Sequence, residues 1–464
     1  MSMKGIKRFL RGIFRVWVMS ALLLIPMVFL GQEQVLHDSS TDTLELNLTK
    51  ALEIALSENP LILIAQKEVK RVDYARKEAW SSLFPSISAD GSYNRNLQLP
   101  VIFLPDGAFG PASGGAMEIG FKNSFSAALS ASAPLFSYSI YQNIKISEND
   151  VKASFESARA SRLNMQAEVR NAYFTLLLAN DSYEVMNRSM KNAEANLADV
   201  KKLFSQGLVA EYDVIRSEVQ VRNLRPSLVQ AENGVRLSEM MIRVLLGIEQ
   251  EVPIKVEEQL SDFQADDSFM KESKNFNLSE NTDLMQLDLQ LEKMNSQFKL
   301  TQSQRYPVLA AFANYQLTSQ SNDFKFSDYR WAKPFMIGLQ LQIPIFRGFS
   351  IHHQEKQVRI GMDQMSLQRE YAERNLNLQV RNAYVNMQKA MEQIGSNEEG
   401  VKQAERGFSI AQTRYNTGTG TLLELNDAEI ALTQSKLNLN QAMFDFLSAQ
   451  TQYRKVLGHE NGFE

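Results

Sequence analysis

An internal repeat constrains this 464-residue chain more than any other feature. Val169-Arg170-Asn171-Ala172-Tyr173 recurs unchanged as Val380-Arg381-Asn382-Ala383-Tyr384, 211 residues further on. The same offset carries Gly207 to Gly418 and Gly247 to Gly458. Upstream, Pro134-Leu135-Phe136 pairs with Pro344-Ile345-Phe346 at an offset of 210, and Glu58-Asn59 and Pro85 pair with Glu280-Asn281 and Pro307 at 222. An ordered series of matches means two copies of one structural unit, where length alone would suggest two or three unlike domains.

Each copy reads as helix, strand, loop, strand, long helix, turn and return helix. In the long helix, Leu176, Ala179, Tyr183, Met186, Met190, Ala193, Leu197, Val200 and Phe204 follow one another at spacings of 3 and 4, the seam of a coiled coil. The second copy repeats it as Met387, Ala390, Ile394, Asn397, Val401, Ala404, Phe408, Ala411 and Tyr415, with one polar exception. No proline interrupts Ser137 to Phe204, and at ~1.5 Å per residue such a helix extends about 100 Å, far more than a globular domain needs. Gly207 and Gly418 end the long helices as C-caps. Return helices over about 211–246 and 421–457 then run antiparallel to them. The leading helices, about 48–83 and 280–305, stop before Pro85 and Pro307.

Between leading and long helices the period changes to two. Phe335, Ile337, Leu339, Leu341 and Ile343 alternate with Met336, Gly338, Gln340 and Gln342, and Phe125, Ala127, Leu129, Ala131 and Ala133 alternate mostly with serine. This is the pattern of a membrane strand with one lipid face and one wet face. Partner strands fall at about 86–95 and 308–318, where Tyr93 and Tyr315 suit an aromatic girdle, and strands at about 124–134 and 335–345 complete the set. The intervening loops, 96–123 and 319–333, are expected outside the cell. Four strands cannot close around a lumen, yet strand edges must be closed in lipid, so several protomers must share one barrel.

The N-terminus sets the compartment. Lys4, Lys7, Arg8, Arg11 and Arg15 precede an apolar run from Val16 to Leu30, the pattern of a secretory signal peptide over 1–31. Its removal takes away five positive charges, moving the formal charge from −4 to −9, which argues against a nucleic-acid partner. Cysteine is absent, which excludes disulfides, thiolate metal sites and a lipidated N-terminal cysteine. No later segment offers ~18 consecutive apolar residues, so a β-barrel is the expected route into a membrane.

These features, with the motif Tyr415-Asn416-Thr417-Gly418-Thr419-Gly420-Thr421-Leu422-Leu423-Glu424-Leu425, resemble the TolC-like outer-membrane efflux proteins over about 45–458. The resemblance implies a mainly α fold with β: a homotrimer with a twelve-stranded barrel in outer-membrane lipid and a twelve-helix tunnel through the periplasm. It implies efflux repeats over 32–247 and 279–458, with a belt formed by 248–278 and the tail 459–464. It further implies a passive exit duct of a tripartite efflux or type I secretion system, partnered by a periplasmic adaptor protein and an inner-membrane pump of RND or ABC type. Drugs, metal ions, bile salts or secreted proteins are the cargo classes. By the same resemblance Gly207-Leu208 and Gly418-Thr419 correspond to adaptor-docking turns, although any such hairpin needs a glycine cap. Glu424 and Asp427 correspond to acidic positions ringing the tunnel's closed end, with Tyr415 beside them. Acids in a first helical turn also simply favour the macrodipole. The family's basic residue near the tip is replaced by Gly420, so its gate bond is expected to be missing. Asp213 takes the place of Glu424 in the first repeat, but Arg216 replaces Asp427, which places that repeat outside the constriction.

No enzyme motif of the HExxH, GxSxG or phosphate-loop kind is present, and no cofactor is expected. His352 and His353 are adjacent and point apart on a helix, while His37 and His459 lie near the ends. Asp262, Asp266 and Asp267 lack EF-hand spacing, and Met186, Met190 and Met387 fall on the seams. The rival architecture is a non-conducting coiled-coil scaffold or adhesin stalk, which has no need of two amphipathic strand pairs.

Overall fold

The computed structural model describes residues 43–104, 115–263 and 276–459. The expected signal peptide, His37, Asp266, Asp267 and the tail beyond His459 lie outside them. In chain order the elements are β1 (Leu44–Glu45), α1 (Leu48–Glu58), α2 (Pro60–Ser81), β2 (Ser86–Arg95), β3 (Val101–Leu104), β4 (Gly115–Glu118), β5 (Asn123–Phe136), α3 (Tyr138–Ser205) and α4 (Glu211–Leu246). They continue with β6 (Ile254–Lys255), α5 (Thr282–Ser303), β7 (Val308–Ser321), β8 (Phe335–Gln342), α6 (Ser350–Asn416) and α7 (Leu422–Leu457).

The expected leading helix over 48–83 is two helices. Pro60 disfavours the α conformation at the residue before it, and Asn59 is extended, with φ −63° and ψ 126°. Likewise the expected loop 96–123 contains a short antiparallel ladder, β3 against β4.

α3 and α6 are the two unbroken rods, of 68 and 67 residues. Beside each, two shorter helices meet end to end through the residues the repeat pairs. Asn59 caps α2 by accepting from the Leu61 amide at 2.8 Å, and its Nδ2 donates to the last carbonyls of α4, at Leu245 O, 2.7 Å away. Asn281 does the same in the second copy, accepting from the amides of Asp283 and Leu284 at 3.0 Å and donating to Val456 O at 2.6 Å. Both asparagines are buried. Each is covered by the glycine that ends the return helix in the left-handed conformation, Gly247 at φ 73° and Gly458 at φ 79°. A Cβ on Gly458 would lie 2.1 Å from Glu280 O, whereas one on Gly247 would lie 3.2 Å from Glu58 O. Arg159, on α3, clamps the tighter joint by donating to Gly458 O at 3.1 Å and Glu280 O at 2.8 Å.

The repeated pentapeptide lies in the core at this level. Val169, Ala172, Tyr173, Val380 and Ala383 are buried, as are Leu176, Leu177 and Met387. Burying one such large side chain stabilises by roughly 1.5–3 kcal/mol. The segment expected to form a belt packs on the first copy here: β1 pairs in parallel with β6, and the Tyr173 hydroxyl donates to the Glu258 carboxylate, which also accepts from the Leu48 amide at 3.3 Å at the start of α1. The chain ahead of α1, at Leu44–Leu48, therefore pairs with the segment 248–278 that was expected to form a belt. Below it, every second-copy seam position from Met387 to Tyr415 is at least half-buried. The polar exception, Asn397, is satisfied by donating to Asn438 O at 3.1 Å across to α7.

The four long strands form one antiparallel sheet in the order β2-β5-β7-β8. Its register aligns Ile87 with Ala131, Leu129 with Tyr315, and Ala313 with Ile337, so one face is apolar across all four strands. The opposite face carries Ser88, Ser130, Asn314 and Met336 in the same manner. On β8, Phe335, Ile337, Leu339 and Leu341 are all more than half exposed, so the apolar face is uncovered within one chain. Tyr93 stacks on Phe125 at 4.8 Å, near one end of the sheet. Among the described residues no helix is long and apolar enough to cross a membrane.

The joints predict a graded response to substitution. Gly207 sits at φ 69° with open space where a Cβ would stand. Gly207→Ala should therefore cost only the left-handed backbone strain, roughly 1 kcal/mol. Gly458→Ala adds a backbone clash and should cost roughly 3 kcal/mol or more. Thermal unfolding followed by circular dichroism in detergent should rank the midpoints wild type, G207A, G458A; equal midpoints for the two variants would remove the joint's role.

Candidate functional site

The hairpin tips, farthest from the sheet, hold the residues singled out in the sequence. At the first tip α3 ends in a left-handed turn: the Gly207 amide donates to Phe204 O and the Leu208 amide to Leu203 O, both at 2.9 Å. The second tip repeats it, with the Gly418 amide on Tyr415 O at 3.0 Å and the Thr419 amide on Arg414 O at 2.9 Å. These six-residue closures satisfy the last carbonyls of each helix. Glycine is needed for backbone handedness at both positions, since no neighbour lies near the place of a Cβ. The tips nonetheless differ in surface. Leu208 and Tyr212 are each 67% exposed at the first, an apolar knob, while threonines and charges dominate the second.

The return helices also begin differently. Ala210 starts α4 with no side-chain cap. Thr421 starts α7 with a capping box: the Glu424 amide donates to Thr421 Oγ1 at 3.2 Å, and the Thr421 amide to Glu424 Oε2 at 3.4 Å. Glu424 thus serves the helix start, yet its carboxylate stays partly exposed. Asp427, one turn on, is exposed on the same face, opposite the side that buries Leu422, Leu425 and Glu429.

Arg414, which sequence reasoning passed over, supplies a positive charge to this tip. Its Nη1 lies 3.3 Å from Glu424 Oε2 and its Nη2 donates to Thr419 O at 3.2 Å. Gly420 is the counterpart of that arrangement. A Cβ there would lie 2.9 Å from the Cβ of Arg414 and 3.1 Å from the Tyr415 nitrogen. The position lost in basic side chain is therefore the space on which Arg414 folds. The signal was a basic residue in the last turn of a helix, where it also favours the macrodipole.

Tyr415 is half-buried, and burial together with the carboxylates of Asp213 and Asp199 raises its phenol above the ordinary range. Asp213, expected outside the constriction, is thus near a second-tip residue, and the packing of α3 against α7 joins the two hairpins. Other singled-out residues are ordinary surface or core. His352 and His353 are exposed, their rings 5.6 Å apart, and Met190 and Met387 are buried among the helices. Among the described residues no group of three or more potential ligands could hold a metal ion.

This architecture has known relatives. The outer membrane protein TolC of Salmonella enteritidis is 24% identical over 349 residues, spanning 73% of this chain and 70% of TolC. The alkaline protease secretion protein AprF of Pseudomonas aeruginosa is 21% identical over 422 residues, spanning 90% of this chain and 85% of AprF. In fold, the chain superposes on the Campylobacter jejuni CmeC outer membrane channel with a TM-score of 0.71 at 17% identity, over 89% of this chain and 85% of CmeC. VceC of Vibrio cholerae gives 0.70 at 17% identity, over 90% of this chain and 97% of VceC. The family model for outer membrane efflux proteins matches residues 51–248 and 277–459, one segment in each repeat. The chain belongs to the outer membrane efflux protein family, a TolC-like channel protein of the outer membrane with a long periplasmic helical extension.

Proposed function

We propose that three copies of this chain assemble into a passive exit duct that carries cargo from a periplasmic adaptor and an inner-membrane pump to the cell exterior. The observation that carries this reading is the sheet: β2 and β8 leave both edges unpaired, and one whole face is apolar. Open edges cannot persist in lipid, where each unpaired backbone group is costly. Three sheets joined edge to edge make a twelve-stranded closed barrel. Each chain also contributes four helical rods: α3, α6, and the two jointed pairs α2 with α4 and α5 with α7. Three chains then supply a twelve-helix wall. The likeness to TolC and to a protease secretion protein supports efflux or secretion as the task.

In this assembly the tips form the entrance. Gly207-Leu208, with its exposed apolar knob, and Gly418-Thr419 would meet the adaptor. Glu424, Asp427 and Tyr415 would surround the constriction, with Arg414 offsetting part of the converging negative charge. Like charges brought together attract cations, and a paired guanidinium weakens that effect.

Two measurements test the reading. Mass determination in detergent should give three times the chain mass with helix and strand content intact. A folded monomer or dimer would sink the barrel and favour a scaffold. In planar bilayers, replacing Glu424 and Asp427 with alanine should weaken cation selectivity and relieve block by divalent ions. Arg414→Ala should do the reverse, by leaving Glu424 without its partner. If the double variant keeps wild-type selectivity and block, these acids serve only the helix start.

A further inference from the structure

Away from the tips, α3, α7 and the belt enclose a cleft of about 240 Å³. Small-molecule sites commonly measure ~300–1,000 Å³, so this one suits a compact ligand. Glu429 reaches it from α7. The residue is only 6% exposed, and its Oε1 has no hydrogen-bond partner, although Asn192 serves the carboxyl with a side-chain hydrogen bond. Buried polar atoms nearly always have partners, so an orphaned carboxyl oxygen facing a cavity marks a place for a donor.

The surroundings define what kind of donor. Asp181 and Glu184 line the same cleft from α3, and Asp181 also accepts from the Leu260 amide of the belt at 3.1 Å. Of the two basic residues there, Lys436 is engaged with Glu405 at 2.8 Å, leaving Arg188 against three carboxyls. The rest of the wall is mixed: Val185, Leu432, Leu439 and Met443 supply hydrocarbon between polar side chains such as Ser189, Thr433 and Asn440. Burial raises the carboxyls of Glu429 and Asp181 above the ordinary carboxylate range. Carboxyls beside an apolar strip of wall fit a cation that carries an apolar body.

We propose that this cleft binds a small organic ammonium ion, its N–H donating to Glu429 Oε1 and its apolar part lying against Val185, Leu432 and Met443. Bound there, the ion would join the long helix, the return helix and the belt of one chain. The proposal does not depend on the trimer.

Isothermal titration of the full protein in detergent at neutral pH tests it, with benzylammonium as probe and benzyl alcohol as its neutral counterpart. Benzylammonium should bind saturably, one per chain, and about tenfold or more tighter than benzyl alcohol, the difference a charge-assisted hydrogen bond supplies. Glu429→Gln should weaken benzylammonium by about tenfold while leaving benzyl alcohol unchanged. Val185→Phe, which fills the cleft and keeps the charge, should weaken both. Circular dichroism and mass establish that each variant is folded. If E429Q does not fold, the preference for ammonium over alcohol in wild type and the weakened binding of both probes by V185F decide the matter. No saturable binding by wild type, equal affinity for the two probes, or a folded E429Q that binds like wild type would overturn the proposal.

Discussion

A buried asparagine on each side of the molecule has to do two things at once. Asn59 and Asn281 cap the helices that lead to the sheet, and their amide groups satisfy the carbonyls at the ends of the helices that rise from the tips. Helix ends leave several backbone groups without partners, and inside a packed wall water cannot supply them. An amide side chain offers an acceptor for one end and, from a separate atom, a donor for the other, whereas aspartate would set a carboxylate against carbonyl oxygens. With both ends satisfied, two shorter helices run as one rod beside an unbroken helix of 67 or 68 residues. The sheet and the tips are thereby held in line across a length that no single globular core could span.

The two copies solve the same problem with different reinforcement. At the first joint a Cβ on the glycine would stand 3.2 Å from the opposing carbonyl, and the adjacent core is closed through Tyr173 and Glu258. The second joint is tighter, and Arg159 binds its two carbonyls directly. Duplication provided equal frames; unequal neighbours then divided the work. The tips show the same divergence. The first has no side-chain cap at Ala210 and presents apolar Leu208 and Tyr212, while the second has a capping box and the Arg414–Glu424 ion pair. In the proposed trimer an apolar and a charged tip would alternate around the entrance, so docking and gating could rest on separate surfaces.

The sheet completes the argument from satisfaction of the backbone. Its register gathers most apolar side chains of the four strands on one face, and small residues such as Ala127, Ala131 and Ala313 keep that face smooth. Gly338 lies opposite Phe312, whose ring occupies the space a Cβ would need at 2.8 Å, so an aromatic side chain covers the gap in the pleat. What one chain leaves unsatisfied, two edges and an apolar face, is what a membrane and further copies of the chain can satisfy together.

Sequence periodicity alone determined the long helices and the four long strands. The 3,4 seam, the period-two strands and the glycine breaks depend on local geometry, which repeats every 3.6 or 2 residues and so is written in the residue order. The duplicated positions Glu58-Asn59 with Glu280-Asn281, and Gly247 with Gly458, were visible as matches, but nothing in the sequence said that they meet. That contact joins residues about 180 apart and exists only when both helix ends arrive at one place. The break at Asn59 was missed although Pro60 announced it, because the apolar pattern continued across it. At the tip, Thr421 and Glu424 could be read as a helix start, whereas Arg414 could not be assigned to Glu424. Its partner lies across a turn whose closure depends on Gly418 being left-handed and Gly420 having no side chain. Glu429 was invisible for a like reason: a carboxyl on a helix is ordinary until the assembled chain buries it with one oxygen unpartnered. Local order sets what each segment becomes, and burial, which only the assembled chain decides, sets what each charged residue can do.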